Sequence, residues 1–399
     1  MTESGRAAPA RPIRRAIAGL FVLAAIGLAI GAAAFLASAG PPANVAAAAS
    51  GTLAPGPPTA APTPTPRPTP TPSPTPKPTP VLVPAPLTGL PVSPEVAARH
   101  PIAVMIDDHR AARPQAGFNA AAVVWQAPAE GGIPRYMFIL QDDLPALIGP
   151  IRSVRQYHID WAAEWNAVLV HVGGEPGAMA ILRSQGSGQL VWNVDGFRFE
   201  GTYMWRSTDH RAPHNVYSDA AHLRQVAAVV GATDGPIRPA WTFGRGTRPS
   251  ARPIGTTLTI HYPYETITYR YDADSNRYLR FIDAAAEPQV DAADGEAVAP
   301  SNVVILRIPF RPLDDGHPDK DRLLAEDIGS GDAIISTNGR IIHGTWSKAS
   351  VTEPTLLFDT TGRPVTLTAG QTFVQVIDLD YAFEISRGIT ERGIGTGVR

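Results

Sequence analysis

The densest chemistry in this sequence lies in IGPIRSVRQYHID, Ile148–Asp160, where Arg152, Ser153, Arg155, His158 and Asp160 follow one another closely. Ser153 and Gln156 fit the capping box, in which a serine accepts the N–H three residues on and a glutamine reaches back. Arg152 and Arg155 then flank the start of a helix. Its exposed N–H groups and positive dipole end suit an anion, not two cations. Three partners would relieve the conflict: a protein carboxylate such as Glu130 or Asp107, a carboxylate, phosphate or sulfate ligand, or bulk water. Val154, Tyr157 and Trp161 would face the core, with His158 beside that stripe as a structural residue.

PAEGGIPR sets Glu130 at a strand end, ahead of two glycines and Arg135. Glycines let the backbone turn tightly or approach a ligand. The glutamate is then a general acid or base, or the partner of an arginine. STDHRAPHN, Ser207–Asn215, is the most polar loop. Asp209, His210 and His214 suggest a metal, but Pro213 opposes the helix that would align the histidines, and no HExxH pattern occurs. The loop either lines a site with His210, His214 and Asn215 or satisfies its own side chains. His171 sits in VLVHVGG. A strand running into glycines opens on a cleft in many α/β folds, although a lone histidine in an apolar strand also serves as a hydrogen-bonded core residue. The acidic DDGHPDKD, Asp314–Asp321, lacks the EF-hand spacing. There is no GxSxG, Walker or Rossmann glycine pattern.

The candidate catalytic groups are therefore Glu130, Asp160, His171 and His210. The candidate ligand-binding set is Asp107, Glu130, Arg135, Arg152, Ser153, Arg155, His171, His210, His214 and Asn215. No metal and no cofactor is expected.

These residues need elements to hold them. PIAVMIDD, AAVVWQA, RYMFILQ and AVLVHVGG read as strands from Pro101, Ala121, Arg135 and Ala167. Helices are predicted over about 154–165 and 177–184, and over 218–230 with Ser218 as N-cap. Strands alternating with helices predict an α/β layered domain at 87–235. After GATDGPIRP the pattern changes to apolar–polar alternation, which predicts a mostly antiparallel β domain at 250–385 and a flexible tail at 386–399.

Outside the fold, a basic stretch at 1–15 precedes Ala16–Ala39, which carries no charge. About 20 apolar residues span a bilayer, so 16–39 is expected to be a transmembrane anchor, with a signal peptide cut near ASAG as the alternative. The arginines ahead of it would stay in the cytoplasm and the rest would be exported. Residues 40–86 form a Pro/Thr/Ala-rich linker. Its stretch Thr59–Pro80 alternates proline and favours polyproline II, reaching roughly 70 Å at about 3.1 Å per residue. The 399 residues carry a formal charge of -2, which argues against nucleic acid as a partner. With no cysteine, a disulfide, a thiolate metal site, a catalytic thiol and a cysteine-borne lipid anchor are all excluded.

PLTGLPVS, PIAVMIDDHRAARPQAGFNAAAVVWQAPAEGGIPRYMFILQ, IGPIRSVRQYHIDWA, VLVHVGG and APHNVY resemble, in order, the N-terminal domain of the YerB-like bacterial envelope proteins. GTWSKASVTEPTLLFDTTGRPVTLTAGQTFVQVI resembles that family's C-terminal domain. The resemblance implies two domains, and envelope proteins of unknown function often described as lipoproteins. It implies no reaction and no catalytic residue. Three functions stay open. The first is a membrane-anchored extracytoplasmic module binding a polar or anionic envelope ligand, such as a glycan or peptidoglycan fragment. The second is a hydrolase or transferase on the same polymers using Glu130, Asp160, His171 or His210. The third is an interaction scaffold in an envelope complex.

Overall fold

The computed structural model describes residues 81–387 and Gly56. The span expected at 16–39, nearly all of the linker and the tail beyond Arg387 lie outside the described residues. Among those described, no helix is long and apolar enough to cross a membrane.

The first region supplies five strands of the largest sheet: β1 (Ile102–Asp107), β2 (Val123–Pro128), β3 (Pro134–Leu140), β4 (Val168–His171) and β5 (Trp192–Asp195). Three helices of eight residues or more accompany them: α1 (Gln156–Ala163), α2 (Pro176–Ser184) and α3 (Ala220–Val230). The second region adds β6 (Thr257–His261), β7 (Thr266–Asp272), β8 (Arg277–Ile282), β9 (Asn302–Arg307), β10 (Gly329–Thr337), β11 (Arg340–Lys348), β12 (Leu356–Asp359), β13 (Thr372–Ile377) and β14 (Phe383–Ser386). The protein is mostly β with few helices.

One ten-stranded sheet runs through both regions in the order β12-β11-β10-β9-β13-β2-β3-β1-β4-β5. β13 pairs in parallel with β9 on one side and β2 on the other. β1, β4 and β5 are mutually parallel neighbours, whereas β2, β3 and β1 pair antiparallel. Every residue of β1 is buried, as expected of a central strand covered on both faces. Alternate residues divide between two cores. Ala103 and Met105 join Trp125, Tyr157 and Trp161 on one face. Ile102, Val104 and Ile106 join Leu223 on the other, in a cluster that also holds Leu258 and Tyr269 of the second, four-stranded sheet β8-β7-β6-β14.

The helix starts differ from expectation. Ser153 is not a cap: α1 begins at Gln156 behind Arg155, whose N–H is accepted by His158 Nδ1 at 3.2 Å. His158 is fully buried, as a structural role requires. The predicted face is present, and Trp161 stacks on Trp125 with centroids 4.5 Å apart. Ser218 likewise does not cap α3. Asp219 does, accepting the His222 N–H at 2.9 Å, while the Ser218 hydroxyl donates to the Tyr203 carbonyl. α3 ends on Gly231, whose φ of 95° is the left-handed conformation that suits glycine.

Candidate functional site

The segment Gly149–Val154 runs between the carboxyl ends of β1 and β4. Asp107 N–H donates to the Pro150 carbonyl and Arg152 N–H to that of Met105, while Val172 N–H donates to Arg152 O and Val154 N–H to Gly173 O. This wedge places Arg152 next to Asp107, the last residue of β1. Arg152 Nε lies 2.9 Å from Asp107 Oδ2, and His214 Nδ1 donates to the same oxygen at 2.6 Å. Asp107 is buried, and burial alone would raise its carboxyl. Arg135, Arg152 and the His214 bond outweigh that and hold it below its usual range.

The other two arginines are consumed by the protein. Glu130 accepts from Arg135 at 2.9 Å and from Arg155 through both Nε and a terminal nitrogen. Ser153 Oγ accepts from Arg135 at 2.6 Å and from Arg155 at 3.1 Å. Burial again pushes the Glu130 carboxyl up, but Arg135 and Arg155 bring it down to about 2. Three arginines thus share two carboxylates, Asp107 and Glu130. Arg155 is only 4% exposed and Arg152 is 23% exposed. The two terminal nitrogens of Arg152 have no hydrogen-bond partner among the described residues.

The loop Ser207–Asn215 closes one side. It is the tip of a hairpin in which Trp205 pairs with Tyr217 and Arg206 with Val216. Its His214 ring stacks on His109 at 4.6 Å. His109 was not singled out from sequence, although its place two residues beyond Asp107 in IDDHR was a usable signal. Its Nδ1 accepts from Ala111 N–H, so Nε2 carries the proton of the neutral ring. Burial and then His214 lower its pKa.

Four candidates fall elsewhere. His171 is fully buried, with Nδ1 on the Gly173 carbonyl and Nε2 on Asn193, both at 2.8 Å. Asn215 is spent on its own hairpin, accepting from Arg206 and donating to Ser207 O. Asp160 lies on the far part of α1, among Glu164, Asp327 and Lys348. His210 bonds the Ala111 carbonyl and stacks on Tyr217. Glu130, Asp160, His171 and His210 therefore do not share one environment. Asp107, Glu130, Arg135, Arg152, Ser153, Arg155 and His214 do. Among the described residues no group of three or more His, Asp or Glu could hold a metal.

A second buried network, missed from sequence, ties the two regions together. Asp108 and Glu265 both accept from Arg113 and from Gln126. Arg280 of β8 donates to Gln126 at 2.9 Å and to Tyr136 at 2.8 Å. Burial and the neighbouring Glu265 drive the Asp108 carboxyl well above its usual range.

Residues 87–233 match the family described as "Protein of unknown function (DUF3048) N-terminal domain", and residues 258–374 match its C-terminal domain. The chain is 29% identical over 318 residues to "Putative lipoprotein YerB" of Bacillus subtilis strain 168, covering 76% of this chain and 89% of that protein. It is similar in structure to the crystal structure of the YerB protein from Bacillus subtilis. That likeness has a TM-score of 0.67 and 26% identity, over 76% of this chain and 99% of the other.

Proposed function

The chain belongs to the two-domain DUF3048 family, and on that premise we propose that it is a membrane-tethered extracytoplasmic module that binds an anionic envelope ligand at Arg152. The carrying observation is the guanidinium of Arg152. Its Nε lies 2.9 Å from Asp107, its terminal nitrogens make no hydrogen bond among the described residues, and the terminal nitrogens of Arg135 and Arg155 are taken by Glu130, Ser153 and the Val154 carbonyl. A planar fork with two free nitrogens fits a carboxylate or phosphate in bidentate fashion. The cluster carries a positive excess of one, from three arginines against two carboxylates, so an arriving anion neutralises it. His109, whose Nε2 carries the ring proton, stands close by as a further donor.

The extracytoplasmic setting rests on the arginine-flanked apolar stretch 16–39. It accords with the word lipoprotein in the name of the Bacillus relative, although this sequence has no cysteine to carry a lipid.

The test is calorimetric titration of the full chain, held in a polyoxyethylene detergent, with inorganic phosphate and with citrate. The wild type should bind at least one of them. Arg152→Gln should weaken that binding at least tenfold with the melting temperature little changed. Equal binding by both proteins, or none by the wild type, overturns the assignment.

One observation favours chemistry as a second reading. The buried Asp107 holds Nδ1 of the partly exposed His214, which leaves Nε2 outward as a general base would be. This differs from the residues expected from sequence for a hydrolase. Loss of polymer turnover in His214→Gln with phosphate binding retained would support it.

A further inference from the structure

The hairpin that carries His214 also borders a cavity of about 430 Å³, within the range of small-molecule sites. Its apolar wall is built by Leu147, Trp205 and Tyr217, and its polar rim by Ser207, Asp209 and His210. Trp205 is 36% exposed, one edge of its ring resting on His222. Its indole N–H has no acceptor among the described residues. Tyr217 is only 4% exposed, yet its hydroxyl also has no partner among them. Asp209 uses Oδ2 to hold Ser207, which leaves Oδ1 open, and His210 uses Nδ1 on Ala111, which leaves Nε2 open. The cavity thus pairs an aromatic wall with unfilled donors and acceptors.

One hairpin serves the cavity and the fork. Both are bordered by the hairpin tip Ser207–Asn215, which contributes His210 to one and His214 to the other. His210 bonds Ala111 in the turn that follows His109, and His109 carries the His214 ring.

We propose that this cavity is a saccharide subsite, and that the anion read by Arg152 is an acidic substituent of the bound sugar. A pyranose offers a C–H face to an aromatic ring and hydroxyls on its rim, each able to donate and accept. The wall and the rim supply those two kinds of contact. A purely apolar ligand would leave the Tyr217 hydroxyl, Asp209 and His210 unsatisfied and buried, at a cost. A free inorganic anion would leave the aromatic wall unused. This proposal rests on the anion reading of Arg152 and adds the carrier of the charge.

The test uses the full chain in a detergent without sugar. Two probes are titrated: a neutral N-acetylglucosamine oligosaccharide, and a disaccharide in which one sugar bears a lactyl carboxylate. Both should bind, the acidic one more tightly. Trp205→Ala should weaken both at least tenfold, and Trp205→Phe should restore most of the loss. Tyr217→Phe, which keeps the ring, should weaken both about threefold or more. Arg152→Gln should remove only the advantage of the acidic probe, leaving the neutral one within twofold. If neither sugar binds while phosphate still binds through Arg152, the subsite is overturned and the anion site stands. Sugar binding indifferent to Trp205→Ala and Tyr217→Phe overturns the location. An acidic advantage that survives Arg152→Gln overturns the link between the two sites.

Discussion

Glu130 is held between two buried arginines, Arg135 and Arg155, and its carboxyl lies near 2. A depressed carboxyl adds stability above its unfolded value, about 4.3, and that stability is lost as pH falls toward 2. Glu130→Gln leaves two guanidinium groups without their counter-charge. It should cost about 3 kcal/mol at pH 7. The variant's urea midpoint should then change less than that of the wild type between pH 4.5 and 2.5. Parallel decline of the two would disprove the pairing. Asp327 behaves oppositely. Burial, then repulsion from Asp160, lifts it to about 8, and burial with Glu164 lifts Asp160 to about 6, with Lys348 opposing both shifts. Raised carboxyls take stability away as pH climbs from about 4 to 8. Asp327→Asn should therefore raise the urea midpoint at pH 8.5 and change it less at pH 5. A variant weaker than wild type at pH 8.5 would refute this account.

The wedge Gly149–Val154 is the element on which the candidate site depends, and it leans on the strand Val216–Tyr217 of the hairpin. Gly149 has a φ of 149°, and a Cβ there would meet the Tyr217 ring at 2.6 Å and the Val216 carbonyl at 2.8 Å. Gly149→Ala should cost about 2 kcal/mol or more by urea unfolding. Where it still folds, phosphate affinity should fall with it, because the wedge that carries Arg152 must move. Retained affinity would detach the site from the wedge. Much of this region was legible: the apolar face of α1 follows from Tyr157 and Trp161, with Val154 buried just ahead of it, and the strands from their apolar runs. The cap was not. Ser153 satisfies the capping pattern in sequence, but Arg135 and Arg155 claim its hydroxyl in the fold. Glu130 and Asp107 were named as possible partners of the two arginines. Which carboxylate faces which arginine depends on the strand register that sets Asp107 opposite Arg135. Glu265 escaped notice because its partners Arg113 and Gln126 lie more than a hundred residues away, and His109 because the ring it stacks on, His214, is equally remote.

At the scale of the whole molecule the controlling feature is β13. QTFVQVIDL reads as an ordinary strand of the second region, and nothing local marks it as the seam between regions. Yet Thr372–Gln375 pair with Val123–Gln126 of β2 while Asn302–Arg307 pair with its other edge. Val123, Val124 and Trp125 are fully buried on that account. The Asp108–Glu265–Arg113–Arg280 network adds polar bonds across the same seam. Remove the second region and β2 becomes a long, apolar, unpaired edge, which is a template for aggregation. Arg113 would also lose Glu265, and Gln126 its bond from Arg280. A fragment of residues 87–235 should therefore fail to show a cooperative urea transition and should self-associate in sedimentation. In the full chain, the transitions followed by tryptophan fluorescence and far-ultraviolet circular dichroism should coincide, since one sheet and two shared cores leave no natural line of separation. A soluble, cooperatively unfolding 87–235 fragment would show instead that β2 needs no partner. The seam would then be a docking of two independent folds.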